Sequence, residues 1–337
     1  MNAIEMRALR KVYKGTGKAK GGGSTQGARW APPGATARSS TDVVALEALD
    51  LDIAPGEFFG LLGPNGAGKT TAIGILTTRV LPTSGTAIVA GADVVQDSVR
   101  VRQTIGVVPQ RPNADLSLNV IENLQFHAAY FGIPFDVATK RAHELLERLG
   151  LSDKADSKLN ELSGGQQQRL MIVRALMHEP DILFLDEPTV GLDPQARLDL
   201  WEILRDLHKR GRTIVMTTHY MDEADRLCDR LAIIDRGKLL ALDTPRKLKS
   251  KAPGGTLIEL VLDGDAAPAG EIAETIDGVS RVEANDGLLR VHSSRGGQTL
   301  PALIEAAETS GRTVTDIHLL QPSLETLFVS LTGRKLG

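Results

Sequence analysis

The sequence predicts an α/β protein with a mainly parallel sheet, followed by a smaller α+β domain. Three observations carry that expectation. Short apolar runs in "GEFFGLL" (56–62), "DILFLDEP" (181–188) and "TIVMTTH" (213–219) alternate with segments of helical period, as strands covered on both faces by helices do. After "KAPGG" (251–255) the pattern becomes strand, helix, two strands, helix, strand, the order of a ferredoxin-like domain. The length, 337 residues, suits about two domains of roughly 100–200 residues each.

In chain order, "VVALEALDLDIAPGEFFGLLGPNGAGKTTAIGILTT" (43–78) reads as strand, turn, buried strand, glycine loop and helix. "GTAIVAGADV" (85–94) and "TIGVVPQ" (104–110) are short β segments. Residues 119–177 are mostly helical, with Ala142, Leu145, Leu146 and Leu149 on one face. Asp193-Pro194 is a helix start, a capping side chain followed by a residue with preset φ. Leu200, Ile203, Leu204 and Leu207 form the apolar stripe of that helix, and "DRLCDR" (225–230) reads as part of another. Strands are expected at 256–262, 279–284, 288–294 and 313–320, with helices at 268–276 and 299–310. The domain boundaries read as 1–245, a linker at 246–255, and 256–337, with a helical section at about 113–180 inside the first.

Composition narrows the function classes. The chain is 42% hydrophobic and 24% charged with a formal net charge of −3, so it is not adapted as a whole to nucleic acid. One cysteine, Cys228, allows no intramolecular disulfide and fits a reducing compartment. The N-terminus lacks the apolar core of a signal peptide, and no apolar run approaches the roughly 20 residues of a membrane span. A role at a membrane would require another chain to cross it. Residues 15–41 have linker composition, and Arg7 to Arg38 contains eight basic residues and no acidic one. That stretch reads as a solvated insertion, with a contact to anionic lipid or a partner as the alternative.

"GPNGAGKTT" (63–71) follows a strand and opens a helix, the context a phosphate loop requires. Gly63, Gly66 and Gly68, with Pro64, Asn65 and Ala67 between them, let backbone N–H groups converge on an anion. Lys69 adds a point charge for β/γ-phosphates, and the Thr70 hydroxyl, beside Thr71, can ligate Mg²⁺. A structural glycine turn would explain the glycines but not the adjoining Lys-Thr. Asp186 and Glu187 end an apolar strand where open α/β sheets bind ligands. Asp186 is placed to hold Mg²⁺ and Glu187 to polarise an attacking water. His219 ends a neighbouring strand and reaches the same edge as a candidate γ-phosphate sensor. "LSGGQQQRL" (162–170) is a second helix start with free amides but no second Lys-Thr, half of a phosphate site.

The motifs "GPNGAGKTT", "VVPQ", "LSGGQQQRL", "ILFLDEP", "GLDP" and "TTH", in this order, resemble the nucleotide-binding subunits of ATP-binding cassette (ABC) transporters over about residues 3–245. The resemblance implies a P-loop NTPase cassette with a RecA-like parallel core, an antiparallel β subdomain and a helical subdomain. It implies an ATPase that binds ATP and Mg²⁺, with Gln110 in the loop that links metal and γ-phosphate to a transmembrane partner. It implies that Asp193 joins the two sites of a homodimer, and that Ser163, Gly164, Gly165 and Gln166 complete the site of the opposite subunit. Tyr13 matches the aromatic that stacks on adenine in this family, with Trp30 in the insertion as a rival.

The tail "QPSLETLFVSLTG" (321–333) and residues 116–134 resemble the ATPases of ABC-2-type exporters of the daunorubicin-resistance kind. These imply a separate transmembrane permease, a hydrophobic or amphipathic cargo, and a cytoplasmic subunit peripheral to the membrane. The second domain would then stabilise the dimer or regulate it. Importer ATPases, and cassettes acting on DNA or ribosomes, are the alternatives. One "GKTT" and no sustained heptads set the chain apart from the latter two, and no nucleic acid partner is expected.

Overall fold

A computed structural model describes residues 2–14, 42–253 and 255–334. The basic insertion 15–41, Trp30 included, lies outside the described residues. Elements run β1 (Ile4–Tyr13), β2 (Val43–Ile53), β3 (Phe58–Leu62), α1 (Lys69–Leu76), β4 (Ser84–Val89), β5 (Ala92–Asp93), α2 (Ser98–Thr104) and β6 (Ile105–Val108). Then follow α3 (Val120–Ala129), α4 (Phe135–Arg148), α5 (Gly164–Leu176), β7 (Ile182–Asp186), α6 (Pro194–Lys209), β8 (Thr213–Thr218) and α7 (Met221–Leu227). The chain continues through β9 (Arg230–Asp235), β10 (Lys238–Asp243), α8 (Pro245–Ser250), β11 (Thr256–Leu262), α9 (Ala267–Ala273), β12 (Val279–Asn285) and β13 (Leu288–Ser293). It closes with α10 (Leu300–Thr309), β14 (Val314–Leu320) and α11 (Leu324–Thr332).

Contacts divide the chain into two units, Met1–Tyr220 with Ala232–Leu240, and Met221–Leu231 with Ala241–Gly337. The six-stranded sheet has the order β10-β9-β3-β8-β7-β6, in which β3, β8, β7 and β6 are mutually parallel. Every residue of β3, β7 and β8 is buried, which is why these strands read as unbroken apolar runs rather than alternating ones. A separate antiparallel sheet, β2-β1-β4-β5, carries the N-terminal strands. Asn119 caps α3 in a reciprocal capping box with Glu122, so that helix starts where its local chemistry directs.

The second unit departs from the expected boundaries. Residues 246–250, read as the start of a linker, lie in α8, which is capped by the Thr244 hydroxyl with Pro245 in the first turn. Helix α7 belongs to this unit although it precedes β9, and Lys249 meets Asp225 at 2.8 Å. The unit also contains an antiparallel sheet of order β12-β13-β11-β14. The predicted alternation of strands and helices is present, and Ile258, Leu260, Leu289 and Val291 pack with Ala269 and Ala273 of α9 and with Leu303 of α10. Cys228 is buried and lies just past the end of α7 rather than within a helix.

Candidate functional site

Parallel pairing brings the carboxyl ends of β3, β6, β7 and β8 to one sheet edge. The glycine loop leaves β3 there, Gln110 lies just past β6, Asp186 ends β7 with Glu187 next, and His219 follows β8. The loop is close-packed. A Cβ on Gly63 would overlap the backbone carbonyl of Ile234, and one on Gly68 would overlap that of Ala45. Gly68 also holds φ at 108°, a region that side chains resist. Gly63→Ala is therefore expected to cost about 1–3 kcal/mol in a denaturant melt, because the loop must move to make room. An unchanged midpoint would show that the loop yields freely.

The Lys69 ammonium is buried and donates to Gly63 O at 2.7 Å and Pro64 O at 3.2 Å. It also lies 3.0 Å from Glu187 Oε1. Glu187 Oε2 accepts from Gln110 Nε2 at 3.2 Å, and His219 Nδ1 stands 3.4 Å from the same oxygen, too poorly aligned for a hydrogen bond. Glu187 has a left-handed backbone, φ 49°, a strain of about 1–3 kcal/mol of the kind that clusters at functional positions. Its N–H is held by Thr217 O at 3.1 Å and Thr217 Oγ1 at 3.0 Å.

Thr217 escaped the sequence reading. Its hydroxyl also donates to Asp186 Oδ1 at 2.7 Å, so one side chain braces both acidic residues. Register decides this, since Asp186 pairs with Thr217 across β7 and β8. A threonine two residues before His219 was the only trace in the sequence. Tyr220 was missed too: its ring centroid lies 4.2 Å from that of His219, and the Arg197 guanidinium sits 4.5 Å from the centroid of the Tyr220 ring.

Thr70 Oγ1 donates to Asp186 Oδ1 at 3.2 Å. These are adjacent hard oxygen donors, and Gln110 has a carbonyl oxygen nearby on the same cluster. Among the described residues no group of three or more His, Cys, Asp or Glu could cage a metal unaided. The Thr70 hydroxyl beside the single Asp186 carboxylate fits Mg²⁺, which binds through one or two carboxylates and leaves its other positions to water and substrate phosphate. Burial raises the carboxyl pKa of Asp186, opposed by the hydrogen bonds from Thr217 and Thr70. A raised folded-state pKa means that the stabilisation from Asp186 is complete below its unfolded pKa and lost as pH rises through the folded one. At neutral pH the buried carboxylate is a cost. Asp186→Asn should thus melt no lower than the parent at pH 7 without nucleotide, with the difference shrinking on acidification. A variant clearly less stable at pH 7 would contradict this.

Ser163, Gly164, Gly165 and Gln166 form a separate arrangement at the start of α5. Ser163 Oγ accepts from Gln166 N at 3.3 Å, and Gln166 Oε1 accepts from Ser163 N at 2.9 Å, a reciprocal cap. A Cβ on Gly165 would come within 2.9 Å of Ala196 Cβ, so intrachain packing accounts for one glycine. Gly164 has only Leu192 Cδ2, at 4.0 Å, and among the described residues nothing requires a glycine there. Asp193 caps α6 by accepting from Ala196 N at 2.9 Å. Tyr13, at the end of β1, reaches the phosphate-loop helix, with its hydroxyl 3.5 Å from Thr71 Oγ1. The sequence-predicted residues thus fall into one cluster (Lys69, Thr70, Gln110, Asp186, Glu187, His219), Tyr13 at the side of α1, and a second helix start.

Comparison with known proteins agrees with this arrangement. Residues 46–190 match the ABC transporter family. The Nod factor export ATP-binding protein I of Cupriavidus metallidurans is 39% identical over 301 residues, 88% of this chain and 94% of that protein. The linearmycin resistance ATP-binding protein LnrL of Bacillus subtilis is 36% identical over 293 residues, 86% of this chain and 94% of that one. A solved dimeric ATP-binding cassette in a post-hydrolysis state, bound to ADP and Pi, superposes with a TM-score of 0.60 at 27% identity, covering 72% of this chain and 98% of that one. A phosphate loop, a buried Asp-Glu pair at the end of a parallel strand, and relatives of such extent lead to one assignment: the chain belongs to the ATP-binding subunits of ABC transporters and is an ATPase.

Proposed function

We propose that this chain powers an exporter, that two copies close around two ATP molecules, and that a separate ABC-2-type permease carries a hydrophobic or amphipathic cargo. What supports export is the extent of the likeness. Relatives named for Nod factor export and linearmycin resistance align over 88% and 86% of the chain, whereas the solved cassette dimer spans 72%. The likeness to exporter subunits therefore extends beyond the ATPase core. Among the described residues no helix is long and apolar enough to cross a membrane, and docking on the permease would hold the subunit at the cytoplasmic face.

Lys69 and the loop amides hold the β/γ-phosphates. To do so Lys69 exchanges Glu187 Oε1, 3.0 Å away, for a phosphate oxygen. That exchange releases the carboxylate to orient and polarise the attacking water, and Gln110 and His219, on its other oxygen, position it. Thr70, Asp186 and Gln110 supply the oxygen donors for Mg²⁺, which when bound neutralises phosphate charge. Tyr13 stacks on adenine beside α1. Ser163, Gly164, Gly165 and Gln166 of one copy close over the phosphate held by Lys69 of the other, and Asp193 sits between the two sites. The open space at Gly164 supports an approach from outside the chain.

Extraction of the chain from its native membrane in mild detergent tests this reading. A polytopic membrane protein without a cassette should accompany it, and ATP should drive cargo into inside-out vesicles that contain both. Co-purification with ribosomes or DNA, or cargo moving only outward from such vesicles, would overturn the export reading.

A further inference from the structure

We infer that Tyr220 is a positioning residue for ATP hydrolysis: its ring, held by the Arg197 guanidinium, fixes the imidazole of His219 at the phosphate edge. This role rests on His219 sensing the γ-phosphate, as proposed above. Among the described residues the His219 ring makes no hydrogen bond. Its Nδ1 is buried without a partner and stands 3.4 Å from Glu187 Oε2, too poorly aligned to bond. The orientation of an imidazole that must meet a phosphate oxygen is therefore set by packing. The ring against it is that of Tyr220, with centroids 4.2 Å apart and planes tilted by 42°.

His219 and Tyr220 are consecutive, and in a continuing strand consecutive side chains point to opposite faces. Here β8 ends at Thr218, and Tyr220 N–H donates to Thr218 Oγ1 at 2.9 Å, a turn that brings the two rings together. Helix α6 holds the other side of the pair. Arg197 lies in its first turn, with its N–H bonded to Asp193 O at 3.0 Å and its guanidinium carbon 4.5 Å from the Tyr220 centroid. Arg197 Nε is buried without a hydrogen-bond partner, so the cation is partly desolvated where it meets the ring, the condition that strengthens cation–π attraction. Both contacts are made by the ring and leave the Tyr220 hydroxyl unused. A side chain that only filled space would matter whichever residue stood at 219. A positioning ring acts through His219 and is silent without it.

Hydrolysis of radiolabelled ATP by the full chain, followed long enough to read slow variants, tests this as a double-mutant cycle. Tyr220→Leu keeps apolar bulk and loses the ring. It should lower kcat about ten- to hundredfold, as a small misplacement of a reacting group does, with KM for ATP within about threefold of the parent. Tyr220→Phe should restore kcat to within about twofold. Arg197→Ala should lower kcat about two- to fivefold. In a His219→Ala background neither Tyr220→Leu nor Arg197→Ala should lower kcat further. Should Tyr220→Leu fail to fold in a thermal melt, the Arg197→Ala pair of measurements decides. Parental turnover in Tyr220→Leu or Arg197→Ala, equal losses in the Phe and Leu variants, or losses that multiply with that of His219→Ala would overturn the proposal and leave His219 as the sensor. Parental turnover in His219→Ala would remove the sensor itself, and the proposal with it.

Discussion

Replacing Glu187 with glutamine is expected to slow ATP hydrolysis by about 10²–10⁴-fold, the usual worth of a positioned general base, with ATP binding retained. Glutamine keeps the shape and can still meet Gln110, but it cannot take a proton from water. It also dissolves the ion pair at 3.0 Å that ties Lys69 to the carboxylate, leaving the ammonium free to turn to phosphate. Binding should therefore hold or tighten, and the ATP-bound dimer should accumulate in size-exclusion chromatography. Multiple-turnover phosphate release and a fluorescent nucleotide titration read the two effects separately. Unchanged turnover would remove Glu187 from the role of base, whereas loss of both binding and turnover would show that its charge mainly holds the loop together.

Lys69→Ala should abolish detectable ATP binding and also destabilise the nucleotide-free protein by about 3–5 kcal/mol, because a buried pair is broken from one side. Without the ammonium, the carboxylates of Asp186 and Glu187 are buried side by side, with the His219 imidazole, 3.4 Å from Glu187 Oε2, as the remaining group beside them that can carry positive charge. Burial already raises the Asp186 pKa, and the adjacent Glu187 charge pushes in the same direction. Adding Glu187→Gln to Lys69→Ala should recover much of the lost stability without recovering binding. Urea melts of the single and double variants separate the cases. If the double variant is as unstable as Lys69→Ala, the loss lies in the lysine's bonds to Gly63 O and Pro64 O instead.

Much of the fold is legible because its cues are local. Apolar runs at 58–62 and 182–185 mark buried strands, Asp193-Pro194 marks the start of α6, and Ala142, Leu146 and Leu149 lie on the buried face that their spacing predicts. Helix α2 is missed because seven residues with a single buried one, Val101, carry no readable period. Part of the stretch read as a linker, 246–250, is helical, and its start signal is Thr244-Pro245 in "TPRKLKS". At "LSGGQQQRL" the sequence suggests two glycines with one purpose. The structure separates them, with Gly165 packed against Ala196 and Gly164 open.

By itself the sequence determines which side chains stand at the ends of β3, β6, β7 and β8, because a glycine loop or an apolar strand ending in Asp-Glu is a feature of a few consecutive residues. Only the tertiary structure decides which of them meet. Thr217 braces Asp186 and Glu187 because β7 and β8 pair in one register, and Lys69 lies against Glu187 across 118 positions of chain. No local period encodes such a register. It is set when parallel strands joined by long crossovers pack into one core, and the chemistry of the site follows from it.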